Sequence, residues 1–426
     1  MEIKTALEKL FSLHSFGIKL GLENIQKFLD RIGNPQNKLK VFHIAGSNGK
    51  GSTASFIASI LTQAGYKVGL YTSPHFVKFN ERVIVDKNYI TDEFICDFLS
   101  RYEKLIDEHK LTFFEVTTAM AFEYFLSKKV NYAVIETGLG GRLDATNVIQ
   151  KPLACIITSI SLEHTNILGD KISLIAKEKG GIIKDNSKVF VGKLPKDADE
   201  VIEKICVEKN ATLIRLEDYL IEKNDKVELY SEEIDLEDWT IPLQGKYQRY
   251  NAALATLTVA KTLFIDDPKV IYDGLKNVVK NTLIQGRYEI VSTMPKIILD
   301  SAHNPGGIHA FITEFLSEKN KYDESILLFS ALKDKDIVSM VKIIDKTFDK
   351  VFITDINYER KEEPENIKRI FKENGIESEI IFNKKEFLSY YLKEKSNKCL
   401  VITGSMYLLG EIKSILQEIN FNSSNN

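Results

Sequence analysis

The chain has 426 residues, 44% hydrophobic and 27% charged, with a formal net charge of −3. That length exceeds one ordinary core and implies two or three domains of a globular protein. The near-balanced charge argues against a generally basic, nucleic-acid-binding surface, and no apolar run approaches the ~18 residues of a membrane helix.

The first ten residues carry charges throughout and do not form a secretory apolar core. Beyond them, apolar runs rich in Val, Ile and Phe at 40–45, 67–72, 132–136, 155–160 and 188–191 read as strands. Their near-continuous hydrophobicity predicts parallel strands buried on both faces. Between the first two lies a helix over 52–64, with Phe56, Ile57, Ile60 and Leu61 on one face and Gly65 as its stop. Residues 211–245 alternate in short segments and predict a small antiparallel insertion at the surface. A second α/β series follows, with strands at 297–299, 326–329, 351–354, 379–382 and 400–403. The turn Gln285-Gly286-Arg287 is the expected linker, dividing the chain into 1–285 and 286–426. The fold class is therefore α/β: two domains, each a doubly wound sheet with ligands at the carboxyl ends of its strands. The four cysteines, at 96, 155, 206 and 399, form no close pair. They fit reduced thiols, and a cytoplasmic location, better than disulfides or a zinc site.

The chemistry concentrates in Val41-Phe-His-Ile-Ala-Gly-Ser-Asn-Gly-Lys-Gly-Ser-Thr53. A strand, a glycine-rich turn with one lysine and a helix is the arrangement that cradles a nucleotide triphosphate: backbone N–H groups and the helix N-terminus face the phosphates, and Lys50 offsets their charge. The common phosphate-loop spacing needs Gly at position 44 and Ser or Thr directly after the lysine. Here Ile44 stands at the first, and Gly51 separates Lys50 from Ser52. Ser73, after the second strand, offers either a hydroxyl ligand for Mg²⁺ or a turn shaped with Pro74. Glu136 closes the third strand; it is a hard oxygen donor for Mg²⁺ or a turn carboxylate. His164 follows the fourth strand and is either a packed residue or a contact to metal or phosphate. In the second series Asp300 suits a ribose hydroxyl and His303 a phosphate, the alternative being a turn with a helix cap. Arg287 can fork onto phosphate oxygens. Asn251, opening a helix of small residues, offers a donor and an acceptor to an adenine edge, or serves as a cap.

Taken together these residues resemble the folylpolyglutamate synthase and dihydrofolate synthase family, a branch of the Mur ligases. The likeness runs in order through Asp30–Gln36, His43–Thr53, Tyr71–His75, Glu136–Asn147, Leu162–Thr165, Glu178–Gly180, Gly286-Arg287, Asp300–Pro305 and Thr403–Tyr407. The resemblance implies an N-terminal P-loop ATPase domain and a C-terminal Rossmann-like ligase domain. Gly46, Ser47, Asn48, Gly49, Lys50, Gly51 and Ser52 match its ATP phosphate loop. Ser73, Glu136 and His164 match its Mg²⁺ ligands, with two metal sites. Lys179 matches a lysine carbamylated in the family, and Asn251, Arg287, Asp300 and His303 match its ATP contacts. Lys50, Lys179 and His164 are thus the expected catalytic groups. Ser47, Gly180, Ser301 and Tyr247 depart from the family's usual Thr, Ala, Gly and His.

The implied activity is ATP-dependent addition of L-glutamate to the γ-carboxyl of a reduced folate through an acyl phosphate. Dihydropteroate is a further candidate acceptor, and a monomer is implied, with neither nucleic acid nor membrane as partner. Two rivals share parts of the pattern. A UDP-muramoyl-type ligase would be expected to place a UDP-binding domain ahead of the loop, which here begins at residue 46. A non-catalytic nucleotide-binding regulator would not need Ser73, Glu136, His164 and Lys179 together.

Overall fold

The computed structural model describes residues 2–13, 21–223, 226–237, 239–394 and 396–424. Its first sheet contains β1 (Val41–Ala45), β2 (Val68–Tyr71), β3 (Val83–Val85), β4 (Asn88–Tyr89), β5 (Tyr132–Glu136), β6 (Ala154–Ile157), β7 (Lys188–Val191) and β8 (Thr212–Arg215). They lie in the order β4-β3-β2-β5-β1-β6-β7-β8. From β2 to β8 every pairing is parallel. The carboxyl ends of β2, β5, β1 and β6 therefore emerge side by side along one edge. β1 lies between β5 and β6, and all five of its residues are buried.

Helix Lys50–Gln63 leaves the end of β1 and is buried from Gly51 through Leu61. The expected apolar stripe accounts for one side of it. The other side carries Ala54, Ser55, Ala58 and Ser59, and these small residues let further helices approach. Helices Lys246–Leu263, Pro268–Lys276 and Val278–Thr282 all pack against it. Ser59 Oγ donates to the Gly274 carbonyl at 2.5 Å and accepts from Asn281 Nδ2 at 3.0 Å, so the buried hydroxyl is satisfied inside the helix cluster. The opposite face of the sheet is covered by helices Ile3–Ser12, Glu23–Arg31, Asp92–Glu108 and Phe113–Ser127.

A second sheet, β9 (Leu220–Lys223), β10 (Lys226–Tyr230) and β11 (Asp235–Leu236), is antiparallel. The antiparallel region expected from residue 211 thus starts later: 212–215 are β8, a parallel edge strand of the main sheet. Nor is the small sheet merely superficial. Leu229, Leu236 and Trp239 share a buried cluster with Phe190, Leu254 and Leu257. Short alternation in the sequence marked the strands, but the partner of the apolar face comes from helix Lys246–Leu263, further along the chain.

The third sheet holds β12 (Glu289–Thr293), β13 (Lys296–Leu299), β14 (Glu324–Phe329), β15 (Lys350–Thr354), β16 (Glu379–Ile381) and β17 (Lys398–Thr403), in the order β12-β13-β17-β14-β15-β16. It is parallel except for β12. The antiparallel strands β3, β4 and β12 were not anticipated: β3 and β4 have only three and two residues, and β4 and β12 lie at sheet edges, where one apolar face suffices. Among the described residues no helix is long and apolar enough to cross a membrane.

Trp239 is 2% exposed, with the Arg249 guanidinium 5.6 Å from its ring centroid. Trp239→Ala is expected to cost about 3–5 kcal/mol. Urea unfolding checks this, and a loss below about 0.5 kcal/mol, the range of ordinary surface changes, would mean that the small sheet does not belong to the core.

Candidate active site

The turn after β1 is built around glycine. Gly46 has φ +153°, and a Cβ there would collide with the Thr158 hydroxyl. Gly49, with φ +85°, stands just before helix Lys50–Gln63, and a Cβ there would strike the Asn251 amide. These positions combine a backbone region disfavoured for other residues with no room for a side chain. The loop is bound to the segment after β6. Ser47 N–H donates to the Ser159 carbonyl at 2.8 Å, Asn48 N–H to Ser159 Oγ at 3.0 Å, and Thr158 Oγ1 to the Asn48 carbonyl at 2.6 Å. Ser47 Oγ also accepts from Ser161 N–H at 3.0 Å.

Two lysines converge on this turn. Lys50 Nζ donates to the carbonyls of Gly46 and Ser47 at 2.8 and 3.2 Å. Lys179 Nζ donates to the same Gly46 carbonyl at 2.8 Å and to Glu163 Oε1 at 2.6 Å. The Lys179 and Glu163 side chains are only 1% and 7% exposed. Burial pulls the Lys179 ammonium below its usual range. Burial opposes ionisation of Glu163 as well, but Lys179 and Lys50 overcome it and hold the carboxylate down to about 2. Of the pair, Lys179 is the member whose proton is held less firmly than usual.

On the other flank, Glu136 at the end of β5 is 4% exposed and accepts Ser73 N–H at 3.1 Å. Burial raises its carboxyl above the usual range, against the opposing charges of Lys50, Arg287 and Arg82. A side chain at Gly51 would come within 3.4 Å of the Arg287 guanidinium and 3.5 Å of Glu136. Gly51 thus leaves the space in which an acidic and a basic group face the first turn of the helix.

The second domain closes the site from across the linker. Gly286 has φ +63°, and Tyr288 N–H and Ala302 N–H hold the two oxygens of Asp300 at 2.8 and 2.9 Å. His303 Nδ1 donates to the Ser301 carbonyl at 2.8 Å. Asn304 Nδ2 crosses to Asn48 Oδ1 at 3.0 Å, joining the domains at the loop itself. His164, with φ +46°, accepts from Lys335 Nζ at 3.2 Å and lies 3.8 Å from Asp334. Burial, with Lys335, lowers both His164 and His303 to about 4, so each imidazole is neutral; the lone pair of His164 is engaged by Lys335, and that of His303 lies on Nε2. Asn251 Nδ2 donates to Gln248 Oε1 at 3.1 Å, beside Gly49.

The expected site residues fall into three groups. Ser73, Glu136, Gly51 and Arg287 meet on one side of the loop; Lys179 sits beneath it; His164 and His303 lie on the Lys335 side. Among the described residues, His164 has no hydrogen bond to Ser73 or Glu136. Lys50 is common to all three, since its charge acts on Glu136, Glu163, His164, Lys179 and His303. Sequence reasoning passed over Glu163, Asp334 and Asn304 as individual side chains. Glu163 stands next to His164, but nothing local marks it as the partner of a lysine sixteen residues on.

The donor set fits Mg²⁺. That ion takes oxygen ligands, keeps several waters and draws others from phosphates. A buried carboxylate and a serine on the neighbouring turn supply oxygen donors for a small protein share of its coordination, while His164 would have to leave Lys335 to join them. Among the described residues no group of three or more His, Cys, Asp or Glu side chains is gathered as in an all-protein metal cage.

A glycine turn at the edge of a parallel sheet faces a second α/β domain, and family matches to both parts give the class as a Mur-type ligase. The Mur ligase middle-domain family matches residues 44–259, and the Mur ligase glutamate-ligase-domain family matches 286–406. The dihydrofolate synthase/folylpolyglutamate synthase of Bacillus subtilis is 33% identical over 418 residues, covering 94% of this chain and 96% of that protein. The solved structure of E. coli FolC with DHPP and ADP superposes with a TM-score of 0.88 at 27% identity, over 99% of both chains. The Yersinia pestis bifunctional enzyme with Mn, AMPPNP and L-glutamate bound gives 0.85 at 26% identity, over 98% of both. The chain belongs to the folylpolyglutamate synthase/dihydrofolate synthase family of Mur ligases.

Replacing Glu163 with Gln would leave the buried Lys179 charge without its partner, at a cost of about 3–5 kcal/mol. The pH dependence has a definite sign. The carboxyl is depressed in the folded state, so its contribution is present above the usual carboxylate range and is lost as pH falls toward about 2. Thermal unfolding of wild type and Glu163→Gln between pH 7 and 2 should show the gap narrowing with acid; a constant gap would disprove the linkage.

Proposed function

We propose that this chain is an ATP-dependent amide ligase that joins L-glutamate to the γ-carboxyl of a reduced folate, with dihydropteroate as a second candidate acceptor. The observation that carries the reading is the cleft at Gly51, where the glycine turn, Glu136 and Arg287 of the second domain meet. The names of the relatives point the same way. In this reading residues 46–52 hold the ATP phosphates, and Asn251, Arg287, Asp300 and His303 contact the nucleotide. The division into an ATP-binding part, 1–285, and a glutamate-ligase part, 286–426, belongs to the same proposal.

A carboxylate is a poor electrophile because expelling oxide is prohibitive. Phosphorylation by ATP converts it into an acyl phosphate; the glutamate amine then attacks, and phosphate leaves to give the amide. The N–H groups at the start of helix Lys50–Gln63 and the Lys50 ammonium, released from its carbonyls, stabilise charge on the transferring phosphoryl group. Arg287 adds a forked donor from the second domain. Closure of the domains excludes the water that would hydrolyse the acyl phosphate. Mg²⁺ held by Ser73, Glu136 and His164 would supply further neutralisation of phosphoryl charge.

Lys179 fits the carbamylation expected of it in one respect: burial favours the neutral amine, which is the form that adds CO₂. The product is an anion beside Glu163, so it calls for a cation between them, in keeping with a second metal site. The Lys179→Ala variant should regain part of its activity with small carboxylates such as acetate. Normal activity without them would dispose of the carbamate role.

The deciding experiment is ATP- and Mg²⁺-dependent incorporation of labelled L-glutamate, with dihydropteroate and tetrahydrofolate side by side. Incorporation into both makes the enzyme bifunctional; incorporation into tetrahydrofolate alone makes it a dedicated polyglutamate synthase. Lys50→Ala is expected to abolish incorporation in a protein that remains folded, and retained turnover would refute the assignment of the loop.

A further inference from the structure

Arg82 is a buried guanidinium with no carboxylate to pair with. It is 6% exposed, and among the described residues no acidic oxygen lies within ion-pair distance of it. Its Nε donates to His75 Nδ1 at 2.8 Å, and its Cζ lies 5.0 Å from the centroid of the Phe113 ring. The adjacent carboxylate is committed elsewhere. Glu81 turns back to accept the N–H groups of Phe76, Val77 and Lys78 at 2.7, 3.0 and 2.8 Å. Glu136 acts on Arg82 only from beyond ion-pair range and is engaged by the Ser73 amide. A buried charge is costly unless paired and fully hydrogen-bonded, and the planar fork of arginine suits a carboxylate in two parallel bonds.

The turn that carries Arg82 borders the cleft: Ser73, Phe76 and Glu81 line its cavity together with Gly51, Glu136 and Arg287. Tyr358 and Tyr407, from the second domain, stack with ring centroids 3.9 Å apart and lie within electrostatic reach of Arg82. Glu136, which faces Gly51 and the phosphate loop, lies within the same reach. The guanidinium thus lies behind the turn that lines the cleft, with its charge felt by groups of both domains.

We propose that Arg82 receives a substrate carboxylate in this cleft: the α-carboxylate of the glutamyl residue whose γ-carboxyl is extended. The inference rests on the ligase reading above and deepens it. A glutamyl acceptor presents two carboxylates of similar reactivity, and extension at one of them requires the other to be held away from the phosphoryl group. Arg82 is then a specificity determinant for the point of extension. The incoming L-glutamate is the other source of the same chemistry.

The test uses the full chain with Arg82→Gln and Arg82→Lys, each first shown to melt as wild type does. Three quantities are read: KM for tetrahydrofolate, KM for L-glutamate, and the inhibition constant of pteroate, which has no glutamyl carboxylate. Loss of a charge-assisted hydrogen bond should raise the tetrahydrofolate KM about tenfold or more in Arg82→Gln, and less in Arg82→Lys. The pteroate constant should move far less. A rise in the L-glutamate KM instead would keep the carboxylate receptor and assign it to the incoming amino acid. A fall in kcat with both KM values within twofold of wild type, in folded variants, overturns the proposal. If wild type incorporates no glutamate at all, the ligase reading fails before Arg82 is in question.

Discussion

The site is organised around one peptide group. The Gly46 carbonyl accepts both Lys50 and Lys179 at 2.8 Å, and the residue carrying it has no side chain because the Thr158 hydroxyl occupies that space. Two cations on one carbonyl oxygen is a local concentration of positive charge that only neighbouring anions can offset. Glu163 supplies one, at the cost of burying a carboxylate. The rest of that field reaches the imidazole of His164 and, across the cleft, that of His303.

Parallel pairing is what brings these groups to one place. Because β2, β5, β1 and β6 run the same way, the turns carrying Ser73, Glu136, the glycine loop and Thr158 share an edge. The second sheet contributes in the same manner: Asp300 follows β13 and Lys335 lies beyond β14. The active centre is the meeting of two sheet edges, and Asn48–Asn304 is the direct bond between them at the loop. Each half has buried clusters of its own and holds its own share of the chemistry.

Much of this was legible in the residues. The glycine loop stands where expected, and the five apolar runs of each series appear as strands within two residues of their expected bounds, except that the run at 155–160 ends at Ile157; strands buried on both faces leave an unbroken apolar signature. What escaped notice was short or at an edge: β3 and β4 have three and two residues, β4 and β12 are edge strands, and β8 was read as part of the antiparallel insertion. Ser55, Ala58 and Ser59 gave no sign of a buried face, since small residues signal close helix packing only once the opposing helices are known.

The sequence by itself determined the α/β class, the strand–glycine–lysine–helix motif and the family, since each rests on local patterns or on motifs in linear order. Tertiary structure decided which charges meet. Glu163 with Lys179, Glu136 with Arg287 beside Gly51, and Arg82 without a carboxylate partner among the described residues are all consequences of burial and long-range approach. The physical reason is that an ion pair's partner, and the cost of lacking one, are set by the dielectric and geometry of the folded site, which no stretch of chain contains on its own.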